Sequence, residues 1–500
     1  MDLSAPSLDN LESKRHLRFA IIGAGMSGIL WAIKLQEAGI TDFTIYEKAH
    51  KLGGTWRDNR YPGLSCDVPS QLYSYTFEKN ANWTKRFSPG GEIQEYFEGV
   101  AAKYDVERFV KYNNPVESLE YTDGKWHLET GGGISDVVDI VICATGVLHH
   151  PRYPEIEGMD TFRGDAFHSA RWKDDLDLTG KRVAVIGTGS TAIQIVPAIV
   201  DRVEEVSLFQ RTAQWVMTFP NPEYTDEEKA DYAAHPEKLD EAYDTWKKHF
   251  SDTFARAVIG DQREIEKIAE RAEWNLNVNV EDEELREKLR PDYVAACKRM
   301  VFSNDFYPAM QKDNANLVTE GIERIEENGI RTTDGKLHEL DVIVYCTGFY
   351  PHVFMKPMNI KGKGGITLEQ KWENGAEAYR SVVMPDFPNL FMMIGPNSPI
   401  GNFSIIMVSE LQLDYIMQLV NLIQTGQIDE VEPKQDVTDR YNQSIRDAME
   451  GTVWVSGCRS WYLDQNGNPA TWPWTIERYI EEMSKPELAD FVMAPARETA

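Results

Sequence analysis

Arg18-Phe19-Ala20-Ile21-Ile22-Gly23-Ala24-Gly25-Met26-Ser27-Gly28 is an apolar strand that runs straight into a glycine turn. An amphipathic helix follows to about Gly39, and a second strand, Phe43-Thr44-Ile45-Tyr46, ends in Glu47. Strand, glycine turn, helix, strand and acid is the order of a dinucleotide-binding βαβ unit. Gly23 permits the tight turn, Gly25 lets a pyrophosphate approach the helix N-terminus, and Gly28 allows the helix to pack closely on the strand. Glu47, nineteen residues past Gly28, is placed to accept hydrogen bonds from a ribose.

The same grammar returns 164 residues later, where the strand Arg182 to Ile186 leads into Gly187-Thr188-Gly189-Ser190-Thr191-Ala192. A helix through Ile195 and the strand Val206-Ser207-Leu208-Phe209 follow. Nineteen residues past Ala192 the position held by Glu47 in the first unit is occupied by Arg211. An acid accepts from a ribose hydroxyl, whereas an arginine attracts a ribose 2′-phosphate, so the two units are expected to take an adenine-ribose and NADPH respectively. A plain surface arginine is the alternative for Arg211. Two further strands, Asp139 to Gly146 and Asp341 to Phe349, each end in Thr-Gly, and nearby prolines mark crossovers between domains.

Outward from these motifs, 500 residues with 42% hydrophobic and 26% charged content describe a globular chain of two or three domains, which excludes a disordered or fibrous protein. The formal net charge of −28 disfavours nucleic acid and anionic membrane surfaces as partners. Between Glu223 and Arg290, twenty acids face eleven bases, with apolar residues at helical spacing at Ile265, Ile268, Ala269 and Ala272. This reads as a solvated helical insertion away from every expected site. The glycine- and lysine-rich stretch from Lys356 to Ala376 reads as a surface loop or hairpin. Five widely spaced cysteines without a CxxC pair suit a reducing compartment, and each is expected to be a small buried thiol rather than part of a zinc site or disulfide framework. Met1 to Arg18 lack a continuous apolar run, and Glu498-Thr499-Ala500 is no peroxisomal address; a cytoplasmic location without membrane attachment is expected.

Phe162, Gly164, His168 and Trp172 fall at the spacing Phe, one residue, Gly, three residues, His, three residues, Trp. With the two glycine fingerprints and the Thr-Gly strand ends, this resembles the type I Baeyer–Villiger monooxygenases among the class B flavoprotein monooxygenases. The family continues with Pro or Asp; here Lys173 stands there and Asp174 follows one place late. A second family pattern, Gly53-Gly54-Thr55-Trp56, Tyr61-Pro62-Gly63 and Asp67, matches at every fixed position. The surrounding residues look most like the hydroxyacetophenone monooxygenase and fungal branch. The resemblance spans Phe19 to about Trp472.

It implies an α/β fold of two Rossmann-type domains. The FAD domain comprises 1–150 and 350–500, the NADPH domain 151–222 and 291–349, and the helical insertion 223–290. The implied activity inserts one O2-derived oxygen beside a ketone carbonyl through a C4a-peroxyflavin, giving an ester or lactone. The partners are a ketone and O2, and the chain acts as a monomer or weak homo-oligomer. FAD contacts fall on Gly23, Gly25, Gly28, Glu47, Gly54, Trp56 and Asp67. NADPH contacts fall on Gly187, Gly189, Ala192, Arg211, Thr212, Lys298 and Trp461, with a core tryptophan as the competing reading of Trp461. Arg299 is the implied catalytic cation, oriented by Asp67. Phe162, Gly164, His168 and Trp172 form an interdomain linker that couples domain motion to cofactor position. The alternatives are an N- or S-oxygenating flavin monooxygenase, which does not require the Asp67–Arg299 pair, and a catalytically silent FAD/NADPH sensor. A flavin disulfide reductase is disfavoured, because this chain has no closely spaced cysteine pair beside the first helix.

Overall fold

The computed structural model describes residues 14–495; the readings of the segment before Lys14 and of the last three residues lie outside them. Two five-stranded sheets dominate. In the first, Phe19–Ile22 lies at the centre, with Ile140–Cys143 on one side and Phe43–Tyr46 on the other. Leu390–Met392 and Val110–Lys111 complete the edges, all in parallel. In the second, Arg182–Ile186 is central, flanked by Glu205–Phe209 and Val342–Tyr345, with Ala315–Val318 and Asp165–His168 outermost. Nearly every residue of the central strands is buried, as parallel sheets covered on both faces require.

In both sheets the strand ending in Thr-Gly lies beside the strand that enters the glycine turn, and this sets the turns' residue choice. Gly23 has φ +104°, and a Cβ there would stand 2.6 Å from the Ala144 oxygen; Gly187 has φ +113°, and a Cβ would stand 2.5 Å from the Cys346 oxygen. Only glycine tolerates both the backbone angle and the approach.

The helix Met26–Glu37 departs from the amphipathic expectation: Ser27 to Ile33 are buried without interruption. Its outer face is covered by the long helix Ile405–Gln424 from the far end of the chain, and Ser27 Oγ meets Ser409 Oγ at 3.1 Å. Covered on both sides, the helix is apolar nearly all round. Burial of Ile406, Leu413, Ile416 and Leu419 on the partner helix, at roughly 1.5–3 kcal/mol each, holds the late segment onto the early sheet.

Two local expectations change. The stretch Lys356 to Ala376 is no free surface loop. Asn359–Lys361 extends the four-stranded sheet alongside Val116–Thr122, and Ile360, Leu368 and Trp372 are buried. The glycines and lysines signalled turns at its ends, but three apolar residues among them anchor it. The acidic insertion forms the helices Asp226–Ala234, Glu237–Asp252, Phe254–Val258, Gln262–Asn279 and Glu283–Lys288. It is not remote from the expected site: Ile265, Ile268 and Ala272 share a core with Ala295, Cys297 and Met300, immediately before and after Lys298 and Arg299. Charge density described its outer face; the apolar stripe decided where it packs. No helix among the described residues is long and apolar enough to cross a membrane.

The cysteine expectation is overturned. Cys297 and Cys458 are joined in a disulfide with Cα atoms 6.2 Å apart, across 161 residues of sequence. Cys66, Cys143 and Cys346 are free and buried, as expected of small apolar residues. Local spacing carries no signal for a bond between two loops that meet only in the folded chain.

Candidate active site

A cleft of about 2230 Å³ is lined by both glycine turns. A pocket for one drug-sized ligand is typically ~300–1000 Å³, so this one has room for two extended molecules. Gly23, Gly25, Glu47, Gly54, Trp56 and Asp67 line it from the first unit. Gly187, Gly189, Arg211 and Thr212 do so from the second, together with Lys298, Arg299 and Trp461. Gly28 and Ala192 sit instead on the buried faces of their helices.

Gly25 and Gly189 are the N-caps of Met26–Glu37 and Ser190–Ile199, and neither helix is capped by a side chain. The first-turn N–H donors are therefore left to an external acceptor, and the cleft in front of them fits a pyrophosphate at each turn. Glu47 is buried, and its carboxylate accepts from the Ala24 N–H at 2.8 Å, the Ala49 N–H at 2.9 Å and Arg57 Nη1 at 3.0 Å. A carboxylate has about four acceptor positions; three are used by the protein and one is left for a ribose. Arg57 is the residue that sequence reasoning missed here. Burial opposes its charge, but Asp58 and Glu47 together hold its pKa above the ordinary value. Its signal was local, a cation directly after Trp56 in the glycine motif. Trp56 itself donates from Nε1 to the Tyr73 hydroxyl at 3.1 Å.

In the second unit, the Thr188 hydroxyl donates to the Thr212 carbonyl at 2.7 Å and ties the glycine turn to the segment bearing Arg211. Lys298 lies over the Tyr293 ring at 4.3 Å. Burial, and then the charge of Arg211, hold the Lys298 ammonium below its usual pKa. Two cations that repel one another, with no ion-pair partner among the described residues, make a site that a dianion such as a 2′-phosphate would stabilise.

Where the two halves meet, Asp67 and Arg299 form a bidentate pair, with Nε to Oδ2 and Nη2 to Oδ1 both at 2.6 Å. The Arg299 and Asp67 side chains are 27% and 23% exposed, and both line the cleft. Burial pulls the guanidinium pKa down, but the Asp67 charge more than offsets this, and Arg299 stays cationic. Gln214 holds the Arg299 carbonyl at 2.7 Å, which fixes the backbone of the cation. Tyr462, 1% exposed, lies beside Arg299 and was given no role from sequence. Burial raises its hydroxyl pKa, and the neighbouring guanidinium partly counters that. Trp461 stacks obliquely on Tyr462 at 4.3 Å between ring centres, and its carbonyl accepts from His352 Nε2 at 2.9 Å.

Residues 20–228 match the pyridine nucleotide-disulphide oxidoreductase family. An uncharacterized monooxygenase of Mycobacterium tuberculosis is 48% identical over 462 residues, covering 92% of each chain. A Baeyer–Villiger monooxygenase of Streptomyces coelicolor is 38% identical over 491 residues, covering 96% of this chain and 93% of that one. The chain belongs to the type I Baeyer–Villiger monooxygenases. Its structure superposes on cyclohexanone monooxygenase from Rhodococcus bound to NADP+, with a TM-score of 0.87 and 26% identity, over 97% of this chain and all of the other. The flavin monooxygenase class is thereby set. The Cys297–Cys458 bond lies away from the first helix, where a disulfide reductase would carry its cysteines.

In this Baeyer–Villiger monooxygenase Phe162, Gly164, His168 and Trp172 lie outside the cleft lining, which their segment reaches at Ser169. His168, fully buried, donates from Nε2 to the Gly348 carbonyl at 2.9 Å and accepts the Ala170 N–H on Nδ1 at 3.1 Å. Those two bonds demand the neutral ring, and burial pushes its pKa down to about 4. Gly164 lies where a Cβ would meet the Asp341 oxygen, and Phe162 packs into the core of the second sheet. Trp172 meets Phe167 edge-on at 5.3 Å. The departure at Lys173 has a structural outlet: Lys173 pairs with Asp165 at 2.6 Å, and Asp174 reaches Arg60 of the first unit at 2.7 Å.

Proposed function

We propose that this monooxygenase binds FAD in the first unit and NADPH in the second and converts a ketone into an ester or lactone. The Asp67–Arg299 pair carries the reading, because a fixed cation at the meeting point of both nucleotide sites is what oxygen insertion beside a carbonyl needs. A flavin held there would supply the redox chemistry, carrying two electrons from NADPH to O2 so that one oxygen atom enters the ketone and the other leaves as water.

The chain's own residues supply position and charge. The uncapped helix N-termini at Gly25 and Gly189 bind the two pyrophosphates. The remaining acceptor of Glu47 takes a ribose hydroxyl, with Gly54 and Trp56 against the same cofactor. Arg211, Thr212 and Lys298 grip the 2′-phosphate. Arg299, held in orientation by Asp67, offers a pre-oriented donor set to the negative charge that develops on the carbonyl oxygen as it is attacked. Trp461 closes over the nicotinamide and excludes water. His168 is a positioning residue whose bond to Gly348 couples the linker to the floor of the second unit.

Purified enzyme supplied with FAD, NADPH and a panel of cyclic and aryl ketones and thioethers, with products identified by mass spectrometry, tests this. Esters or lactones one oxygen atom heavier than the ketone are expected. Sulfoxides alone, with every ketone returned unchanged, would overturn it.

A further inference from the structure

The bond between Cys297 and Cys458 joins two segments that both run into the cleft. Cys297 directly precedes Lys298 and Arg299; Cys458 lies three residues before Trp461 and four before Tyr462. We propose that this pair is a reversible thiol–disulfide site that clamps the Trp461 loop onto the Lys298–Arg299 segment, and that it exchanges with low-molecular-weight thiols and disulfides. The consequence for NADPH rests on the roles proposed above for Lys298 and Trp461.

A 500-residue chain with several extensive cores needs no covalent staple to fold. The bond does have local work, because the loop's polar anchoring is incomplete. Ser460 Oγ is buried without a hydrogen-bond partner among the described residues, which opposes its seating, whereas the Tyr462 hydroxyl sits beside the Arg299 guanidinium. Beyond the disulfide, the loop is held at its far end, where His352 donates to the Trp461 carbonyl and the Ala470 N–H to the Tyr462 carbonyl, and by packing of Tyr462 against Trp454 and Trp461. An extended chain spans at most about 3.6 Å per residue, so with Cys458 fixed Trp461 stays within about 11 Å of it. With the bond open, the seven residues between buried Trp454 and buried Tyr462 lose their covalent tie to the Lys298–Arg299 segment.

Access runs through Cys458. Cys297 is wholly buried, whereas Cys458 is 7% exposed between exposed Gly457 and Arg459. On reduction, a glutathione thiolate attacks the Cys458 sulfur, the Cys297 sulfur leaves with the bonding electrons and takes up a proton, and a second glutathione resolves the mixed disulfide. Two glutathiones become one glutathione disulfide as two electrons and two protons pass to the cysteines. Oxidation by glutathione disulfide is the reverse. Disulfides in reducing surroundings are typically transient and sensing rather than structural, which suits a chain whose other three cysteines are unpaired.

The holoenzyme is poised in buffers of graded glutathione to glutathione disulfide ratio. Its thiols are mapped by alkylation and mass spectrometry, while trypsin cleavage after Arg459 and NADP+ dissociation are timed. The bond is expected to open and re-form within that range. Reduction should speed cleavage at least fivefold and NADP+ release at least threefold. Cys458→Ser should behave as the reduced enzyme in every buffer, and Cys297→Ser should do the same from the other side. A bond that never forms, never opens, or opens without changing cleavage would overturn the proposal. Cleavage that responds while NADP+ release does not would leave the clamp standing and overturn the nicotinamide role of Trp461.

Discussion

Arg299 and Arg211 show how little of a side chain's function lies in its charge alone. Arg299 is held by a bidentate carboxylate and keeps its orientation, whereas Arg211 and Lys298, with no ion-pair partner among the described residues, are proposed to meet an anion. Different losses follow. Arg299→Ala should leave reduction of the flavin by NADPH intact and cut ester formation at least about 100-fold, the scale of removing a donor from developing negative charge; stopped-flow reduction and product yield measure the two separately. Arg211→Ala removes a charge-assisted contact worth about 1.5–3 kcal/mol, so the KM for NADPH should rise about tenfold or more while that for NADH barely moves. Equal effects on both coenzymes would remove the 2′-phosphate from Arg211.

At the scale of elements, the two glycine turns and the linker are built by adjacent strands pressing on one another. His168 at the end of Asp165–His168 is neutral in the fold, with a pKa of about 4, against an ordinary 6.5 once exposed. Between those values the unfolded chain binds the extra proton, so stability rises with pH there. The contribution is complete above about pH 6.5 and is lost as pH falls toward 4. His149, also pushed down to about 4 by burial, acts in the same direction. The stability from urea unfolding should therefore fall between pH 6.5 and 4.5, by up to about 1.4 kcal/mol per pH unit for each histidine. His168→Gln should flatten that slope by the share of one proton, and an unchanged slope would remove His168 from the account.

For the whole molecule, the decisive feature is that one cleft draws walls from both parallel sheets. Ligands bound there stabilise the native arrangement of both halves by mass action, about 2.7 kcal/mol at a hundred times Kd. Thermal unfolding should shift upward with FAD and again with NADP+, and Arg211→Ala should lose the second increment while keeping the first. The acidic insertion belongs at this scale too. Its net charge faces solvent, but its apolar stripe braces the segment that carries Lys298 and Arg299.

The two βαβ units were legible because their signals are local. A glycine at positive φ, a period of apolar residues and an acid or arginine at the end of the second strand are properties of neighbouring residues, and neighbouring residues set backbone angles. The meeting of Asp67 with Arg299, 232 residues away, was reached only by resemblance. The Cys297–Cys458 bond and the approach of Tyr462 to Arg299 were not reached at all. Contacts of that kind depend on which loops the packed sheets and the long helix Ile405–Gln424 bring together. The sequence by itself determined the two nucleotide-binding units and the family of the chemistry. Tertiary structure alone decided which cation is paired, which is left free and which loop is tied beside them, because side-chain partnership is set by distance in space and not along the chain.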